Sequence, residues 1–186
     1  MISGIVLAAG TGSRFGGTKQ LAPVDGSPLV LHAVGALRDA GVDEIVVVTG
    51  HDADAVEAAL PPAVRIIRNE AYRDGQAASL AAGLHALDEA TEGAVVLMAD
   101  QPGVTAADVE ALIDRFRASR ARIVRLRYRD GPGPALLSRE IHAEAGHLHG
   151  DAGARVLIAS HPDWVEEVAV DRPAPPDVDL PADLPD

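Results

Sequence analysis

A glycine-rich loop that carries two cations follows the first apolar run of the chain. The stretch LAAGTGSRFGGTKQL, residues 7–21, holds four glycines and two basic residues: Gly10, Gly12, Gly16, Gly17, Arg14 and Lys19. Glycines let backbone N–H groups approach an oxyanion closely, and loop amides beside a helix start form a cradle for anions. The loop is therefore predicted to bind phosphate groups. A mobile glycine loop with two solvated charges is the alternative.

Lys19 is the only lysine among the 16 Lys and Arg residues of the chain. The planar fork of arginine suits bidentate pairing, whereas the compact ammonium of lysine can follow a phosphate whose charge and geometry change during transfer. We therefore expect Lys19 to be a ligand of a phosphate group.

Asp100 closes the apolar run VVLMADQP. A carboxylate at the end of a buried strand must face a ligand crevice, because burying it unpaired is costly. Magnesium prefers one or two carboxylates together with substrate phosphates. Asp100 is therefore predicted to be a Mg²⁺ ligand. The alternative is that it caps the next helix, although Thr105 is the better candidate for that cap.

A second candidate segment, NEAYRDGQAASLAAGL, spans residues 69–84. Gly75 and Gln76 stand at the predicted start of a helix, with Ser79 in its first turn. Amides and a hydroxyl group at a helix start can read a base edge or a ribose. Simple capping of the helix explains the same residues, so this pattern alone does not decide between the two.

Short β-branched runs alternate with helical patterns along the chain. Strands are predicted near residues 4–8, 44–50, 64–69, 93–100 and 164–170, and helices near residues 28–40, 53–60, 77–87, 105–118 and 152–160. The alternation predicts an α/β fold, namely a single-domain, doubly wound (Rossmann-like), mostly parallel sheet. In such sheets ligands bind at the carboxyl ends of the strands, so the loops leaving the strands must position the candidate residues.

The sequence RIVRLRYRDGPGPALLS, residues 122–138, interrupts this alternation. GPGP, residues 131–134, indicates a turn between two apolar stretches, and hence an antiparallel excursion of the sheet. Residues 1–171 are predicted to form the domain. Residues 172–186, rich in proline and acid, are predicted to form a C-terminal tail that closes on the same domain, with a solvated, weakly ordered tail as the alternative.

Composition excludes several classes of function. The chain of 186 residues has no cysteine, which removes disulfides, thiolate nucleophiles and cysteine-ligated metal sites and fits a reducing cytoplasm. The net charge of −12 argues against a nucleic-acid partner. No basic leader and no apolar run of membrane-spanning length are apparent, so neither secretion nor a membrane is expected. The acidic composition also suits a high-salt cytoplasm or a GC-rich genome.

Two familiar nucleotide-binding templates do not fit the loop. The dinucleotide fingerprint needs a third glycine where Phe15 stands, and an acid at the end of the second strand, where VVVTGH offers none. The ATP-binding P-loop needs glycine directly before lysine, but Thr18 separates Gly17 from Lys19. Hydride transfer and ordinary P-loop chemistry are therefore not predicted.

A third pattern does fit. LAAGTGSRFGGTKQL resembles the signature LAAG-x-G-x-R-[FM]-G-x-x-K of nucleotidyltransferases, which move NMP from an NTP onto a phosphorylated acceptor. It is most similar to the MobA-like group and, within it, to the molybdenum cofactor cytidylyltransferases. The resemblance implies a nucleotidyltransferase-type fold and catalytic Arg14, Lys19 and Asp100, with Asp100 in the metal motif DQP. It also implies a set of nucleotide-binding residues: Leu7, Ala8, Ala9, Gly10, Gly12, Gly75, Gln76 and Ser79.

The acceptor side is assigned from the same resemblance. GPGPALLSR and HGDAGARVL are similar to acceptor-side motifs of the cytidylyltransferases. They imply the acceptor-binding residues Gly133, Pro134, Gly150, Asp151 and Arg155. Gly133 departs from the family pattern, which has Asn or His before the proline.

The C-terminal DVDLPADL resembles the closing D-x-D-T-P-E-D-L of the family, with Leu180 and Ala182 as departures. The similarity implies that Asp179 is a second metal contact. Separately, three arginines at residues 125, 127 and 129 share one strand face by their period of two. They could meet a second anionic group, or they could form an exposed strand face.

The resemblance implies Mg²⁺-dependent transfer of CMP from CTP onto the phosphate of molybdopterin, with release of pyrophosphate. Such a phosphate is already ionised at neutral pH and needs no general base, in agreement with the lack of a Ser-His-Asp or paired-carboxylate pattern. Alternatives are GMP transfer to molybdopterin, NMP transfer to a sugar phosphate or other small acceptor, and a non-catalytic accessory protein that binds nucleotide or cofactor. A molybdenum hydroxylase that receives the cofactor is the implied partner.

Overall fold

A computed structural model describes residues 1–145, 147, 148, 150 and 153–184 of the chain. Its strands are β1 (Ile2–Leu7), β2 (Pro23–Val24), β3 (Ser27–Pro28), β4 (Glu44–Thr49), β5 (Arg65–Arg68), β6 (Gly93–Met98), β7 (Ile123–Tyr128), β8 (Gly131–Ser138) and β9 (Val165–Val170). Its α-helices are α1 (Leu29–Asp39), α2 (Ala53–Ala59), α3 (Gln76–Ala86), α4 (Ala106–Ser119), α5 (His142–Ala145) and α6 (Ala154–Ser160).

Seven strands form one sheet in the order β5-β4-β1-β6-β8-β7-β9. β5, β4, β1 and β6 are parallel, β8 is antiparallel to both β6 and β7, and β7 and β9 are parallel. The two short strands β2 and β3 pair separately as a small hairpin. The predicted α/β sheet with an antiparallel excursion is confirmed.

The turn of the excursion does not lie where the sequence predicted it. Tyr128 pairs with Gly131, so the chain reverses at Arg129 and Asp130, and GPGP belongs to β8. Proline has no N–H for a ladder hydrogen bond, so it is confined to edges and bulges. GPGP lies at such a place. β8 pairs with β6 only from Ala135 onward, and its pairing with β7 changes register between Arg125 and Arg127.

The core has two layers, one on each face of the sheet. Helices α1, α2 and α4 cover one face, where Val6 and Leu37 are fully buried. Helix α3 and α6 cover the other, where Ile5 and Leu80 are fully buried. Neighbouring residues of β1 therefore enter opposite layers, as a doubly wound sheet requires.

The strand order identifies the crevice where a ligand site is expected. From β1 the chain moves outward to β4 and β5, then crosses back through α3 to β6 on the other side of β1. The strand order thus reverses between β1 and β6, and ligands of open α/β sheets bind outside the carboxyl ends of strands at such a switch point. The glycine-rich loop leaves β1 there, and Asp100 follows β6.

Residues 172–184 run back over this edge of the sheet. Arg172 pairs with Asp108 at the start of α4, and the N–H of Val178 donates to the Asp100 carbonyl at 2.9 Å. The Val178 side chain is buried with Val24 and Leu29. Among the described residues, no helix is both long enough and apolar enough to cross a bilayer.

Candidate active site

The glycine-rich loop is shaped by its own backbone. The N–H groups of Phe15 and Gly16 donate to the Gly12 carbonyl at 2.9 and 3.1 Å, which closes a tight turn. Gly12 has a φ of +57°, and a Cβ there would stand 2.5 Å from the Gly17 carbonyl oxygen. Position 12 therefore requires glycine for both conformation and space.

Gln20 fixes the start of this loop, and sequence reasoning missed it. Its side chain is buried, and its Nε2 donates to the carbonyls of Ala8 and Gly10 at 2.9 and 2.7 Å. The Gln20 side-chain amide thereby holds the backbone in place where the chain leaves β1. The only signal in the sequence was a polar residue directly after the single lysine.

Lys19, Asp100 and Asp179 meet in one charge cluster. Lys19 Nζ donates to Asp100 Oδ2 at 2.8 Å and to Asp179 Oδ1 at 3.2 Å. Burial by itself lowers the pKa of the Lys19 ammonium, but the hydrogen bonds and charges of the two carboxylates outweigh it and raise that pKa overall. Lys19 is therefore held cationic at neutral pH. Its side chain is only 13% exposed.

Arg14 stands at the outer side of the same cluster. Its Nη1 is 3.5 Å from Asp179 Oδ2, and its side chain is 77% exposed. An exposed pair of this kind contributes little to stability, so the guanidinium is free to exchange its partner for a ligand anion. All three predicted catalytic residues, together with Asp179, thus lie at the switch point.

The residues at this point fit a divalent cation. Asp100 and Asp179 share one ammonium, so a cation already sits between their oxygens. Mg²⁺ is commonly held by one or two carboxylates with substrate phosphates and water completing its shell. Within the described part of the chain no group of three or more acidic or histidine side chains could hold a metal by itself. A metal held by Asp100 and Asp179 would therefore complete its shell with water or with the phosphates of a ligand.

A cavity of about 350 Å³ opens beside the loop. Its lining contains six of the eight residues predicted to bind nucleotide: Leu7, Ala9, Gly10, Gly75, Gln76 and Ser79. The side chain of Ala8 is buried behind it, and Gly12 lies further along the loop. Tyr72 and Arg73, which the sequence did not single out, also line it.

The far wall of this cavity is the start of α3. Gly75 precedes the helix with a φ of 102°, a conformation that favours glycine. Ser79 is buried in the helix, and its Oγ accepts a hydrogen bond from Asn69 Nδ2 at 3.1 Å. Asn69, another residue that sequence reasoning did not identify, thus holds the helix against the end of β5.

A larger cavity of about 780 Å³ adjoins the first and shares Leu7, Gln76 and Met98 with it. Its lining includes the predicted acceptor residues Gly133, Pro134 and Arg155, and also Asp100. The charge cluster thus borders a cavity on the acceptor side. The two cavities meet at the Gln76 amide, whose Nε2 lies 2.9 Å from Met98 Sδ.

Two other acceptor predictions have different outcomes. Gly150 does not line the cavity, and its carbonyl instead accepts a hydrogen bond from the Ala77 N–H at 3.0 Å. Asp151 lies outside the described residues. Gly153 has a φ of +48°, and a Cβ there would stand 2.5 Å from Gln76 Oε1, so Gly153 itself packs directly on the start of α3.

Gly133, which stands where the family pattern has Asn or His, has a packing role in this structure. A Cβ at this position would lie 2.5 Å from the Tyr128 ring and 2.9 Å from Leu126 Cβ. Glycine therefore allows β8 to bulge past β7 beside the aromatic ring. Its role toward an acceptor stays a prediction.

Comparison with known proteins agrees with this geometry. The model of the MobA-like NTP transferase domain matches residues 4–165. Nicotine blue oxidoreductase of Paenarthrobacter nicotinovorans is 33% identical over 177 residues, which cover 90% of this chain and 85% of that protein.

Solved structures agree as well. Rv0371c from Mycobacterium tuberculosis superimposes with a TM-score of 0.90 at 36% identity, covering 98% of this chain and 94% of the other, and it has also been solved in complex with manganese. A nucleotidyl transferase from Methanothermobacter, Mth528, gives a TM-score of 0.85 at 26% identity with the same two coverages. The domain match spans most of the chain, and the charge cluster lies at the switch point of the shared fold. The chain therefore belongs to the family of MobA-like NTP transferases.

Proposed function

We propose that this protein transfers CMP from CTP onto the phosphate of molybdopterin, in a Mg²⁺-dependent reaction that releases pyrophosphate. The observation that carries the proposal is the cluster of Lys19, Asp100 and Asp179 beside two adjoining cavities. One cavity lies along the glycine-rich loop and suits a nucleotide. The other borders Asp100 and suits the acceptor.

In the proposed reaction an oxygen of the acceptor phosphate attacks the α-phosphorus of the nucleotide. A new P–O bond forms, the bond to the β-phosphate oxygen breaks, and pyrophosphate leaves. The acceptor phosphate is ionised at neutral pH, so the protein need not remove a proton. Its task is to bring two polyanions together and to stabilise the charge of the transition state.

The roles of the side chains follow from their charges. Lys19 and Arg14, with the amides of the glycine-rich loop, would neutralise the triphosphate. Asp100 and Asp179 would hold Mg²⁺, which supplies further neutralisation of phosphate charge when bound. Release of Lys19 from the two carboxylates would make its ammonium available to the phosphates. The manganese complex of Rv0371c supports a divalent cation in this family.

Choice of CTP and of molybdopterin rests on the resemblance to molybdenum cofactor cytidylyltransferases. The apolar lining of the larger cavity, with Leu80, Val96 and Ile158, is compatible with a pterin ring system. The same resemblance makes a molybdenum hydroxylase the recipient of the product, and a cytoplasmic location follows from the supply of nucleotide there. GMP transfer, and transfer to a sugar phosphate, remain alternatives within the same chemistry.

An oxidoreductase is the second candidate, because the relative from Paenarthrobacter carries that name. The glycine-rich loop argues against a bound dinucleotide, since Phe15 replaces the third glycine of that fingerprint. Oxidation of NADH or NADPH by the purified protein, with nicotine blue as acceptor, would favour this candidate. We expect no such oxidation.

The proposal is tested by pyrophosphate release. Each of the four NTPs is supplied in turn, with and without a phosphorylated pterin, in Mg²⁺ or in EDTA. We expect release that needs CTP, the pterin phosphate and Mg²⁺ together. Asp100→Asn should reduce turnover by about a hundredfold or more, because one electrostatic contact in a closed site is typically worth that much. Nucleotide binding without turnover under every condition would instead support an accessory protein.

A further inference from the structure

Two arginines line the larger cavity outside the charge cluster: Arg155, already predicted on the acceptor side, and Arg125, which has no assigned role. Arg125 lies on β7, and its side chain is 25% exposed. Arg127 and Arg129, which share its strand face in the sequence pattern, are 66% and 61% exposed and do not line this cavity. The three arginines are therefore not equivalent, and of these three only Arg125 lines the proposed acceptor cavity.

The sheet register defines where Arg125 stands. Val96 of β6 pairs with Ala135 of β8, and Ala135 pairs with Arg125 of β7. Register partners on neighbouring strands point to the same face, and all three residues line the cavity. Arg125 therefore lies two strands from β6, roughly 10 Å across the sheet. Asp100, four residues beyond Val96, stands at the other end of the cavity.

The guanidinium of Arg125 is oriented but not fully used. Glu167, its register partner on β9, accepts a hydrogen bond from Arg125 Nη2. The Nε of the same group is buried and has no hydrogen-bond partner within the described part of the chain. That buried Nε cannot itself reach a ligand in the cavity. Arginine offers five N–H donors in a rigid fork, so one carboxylate on Nη2 leaves other Nη donors for a ligand.

The rest of the lining between the two ends is largely apolar. Met98, Pro134 and Ile158 line the cavity together with Leu80 of α3, and Arg155 of α6 is a second cation in the lining. A ligand that reaches both ends thus needs a phosphate at one end, an apolar or flat middle, and hydrogen-bond acceptors at the other.

We propose that Arg125 forms a second binding point for the acceptor, selecting molecules that carry hydrogen-bond-accepting atoms remote from the reacting phosphate. This rests on the proposed nucleotidyl transfer for the identity of the cavity. Arg125 is a specificity-determining residue, because it would touch the acceptor at a distance from the bonds that change. Glu167 is its positioning residue.

The test is a calorimetric titration with a pterin that bears a phosphomonoester on its side chain. Arg125→Gln should weaken binding of this phosphopterin at least tenfold, whereas Arg127→Gln, which also loses a contact with Glu167, should change it less than twofold. Glycerol 3-phosphate, which has the phosphate but no ring, should bind wild type and Arg125→Gln equally. CTP binding should be the same in all variants.

A conservative variant guards against a folding defect. Arg125→Lys keeps the charge beside Glu167 but loses the planar fork, and it should also weaken phosphopterin binding. Equal binding of phosphopterin by wild type and Arg125→Gln would overturn the inference, as would an equal loss in Arg127→Gln.

Pyrophosphate release by the same preparations separates this inference from the proposed function. Wild-type protein that turns over but does not bind phosphopterin would contradict the Arg125 site and leave nucleotidyl transfer standing. A selective binding loss in Arg125→Gln, without turnover in wild type, would support the Arg125 site and contradict the transfer.

Discussion

Lys19→Ala removes the cation that Asp100 and Asp179 share. In the wild-type protein Nζ bonds Asp100 at 2.8 Å in a site where the lysine side chain is 13% exposed, and a hydrogen bond between charged groups there is worth about 1.5–3 kcal/mol. The contact with Asp179 contributes less to the free energy of unfolding, because that carboxylate is 49% exposed. The two carboxylates then repel each other, and only the exposed Arg14 remains beside Asp179 to offset this.

We therefore expect Lys19→Ala to fold, with a free energy of unfolding lower by about 2–4 kcal/mol at pH 7 in the absence of metal. For a domain of this size that corresponds to a Tm lower by roughly 4–16 °C. The pKa of Lys19 is raised on folding, so its contribution is fully present below pH 10.5 and is lost only as the pH rises through the folded value. The difference in the free energy of unfolding between wild type and Lys19→Ala should therefore be constant between pH 7 and 9.

A divalent cation should reverse the defect. In the wild-type protein Mg²⁺ or Mn²⁺ competes with the ammonium for the same two carboxylates. In Lys19→Ala that competitor is gone, and only the exposed Arg14 remains beside Asp179. At a metal concentration 100 times the Kd the stabilisation is about 2.7 kcal/mol. Thermal unfolding in MgCl₂ or MnCl₂, against NaCl of equal ionic strength, should therefore show a larger metal-dependent rise of Tm in Lys19→Ala than in wild type.

The control is the double variant Lys19→Ala with Asp100→Asn, in which one carboxylate is gone and the rise should disappear. An equal metal-dependent rise in wild type and Lys19→Ala would refute the idea that ammonium and metal occupy the same place. Turnover of Lys19→Ala should be lower by about a hundredfold or more even where metal restores its stability. Lys19→Arg should also be strongly impaired, because the guanidinium is larger and its donors are fixed in a plane.

Two further predictions concern the loop and the opposite end of the sheet. Gly12→Ala should lose most turnover and also lower Tm, because its Cβ would stand 2.5 Å from the Gly17 carbonyl oxygen at a positive φ. Gly16→Ala, also at positive φ but with open space around it, should retain more activity. Equal losses of activity would contradict the steric argument. The pKa of Glu92 is lowered to about 2 by hydrogen bonds from Arg120 and the N-terminal ammonium. Its contribution to stability is therefore present above pH 4.5 and lost as the pH falls through about 2. Urea unfolding should find Glu92→Gln less stable than wild type at pH 6, with the difference shrinking below pH 4.5 and vanishing only near pH 2.

The layered α/β sheet could be predicted because its local patterns agree with the global fold. Apolar runs such as GIVLA and GAVVLM became the central strands β1 and β6, with helices between them as expected. The prediction of a turn at GPGP was wrong. Proline argues against a strand only where the strand has hydrogen-bonded partners on both sides. At Pro132 and Pro134 the antiparallel strand lacks its β6 partner, so a proline costs no ladder bond.

The charge cluster was predictable only in part. Lys19 ends the loop that follows β1 and Asp100 lies at the start of the loop that follows β6, and parallel strands bring such loops to one edge of the sheet. Asp179 is 160 residues from Lys19, and only the family resemblance pointed to it. Gln20 and Asn69 were missed because a single polar residue that bonds a distant backbone or side chain leaves no periodic pattern.

The sequence pattern alone does not distinguish Arg125 from Arg127 and Arg129; the three-dimensional structure was needed. Period two puts all three on one face, but the apolar layer of α3 and α6 covers only part of that face. The first arginine lies beside the covered cavity, whereas the other two extend past it toward the turn at residues 129 and 130.

Pyrophosphate release from CTP is the measurement that tests the central claim most directly. With phosphopterin and Mg²⁺ present, the wild-type protein should release pyrophosphate and form a product that contains CMP joined to the pterin phosphate. EDTA should stop the reaction, and Asp100→Asn should reduce it by about a hundredfold or more. No pyrophosphate with any NTP and acceptor, from protein that is folded and binds nucleotide, would contradict the assignment of this site to nucleotidyl transfer.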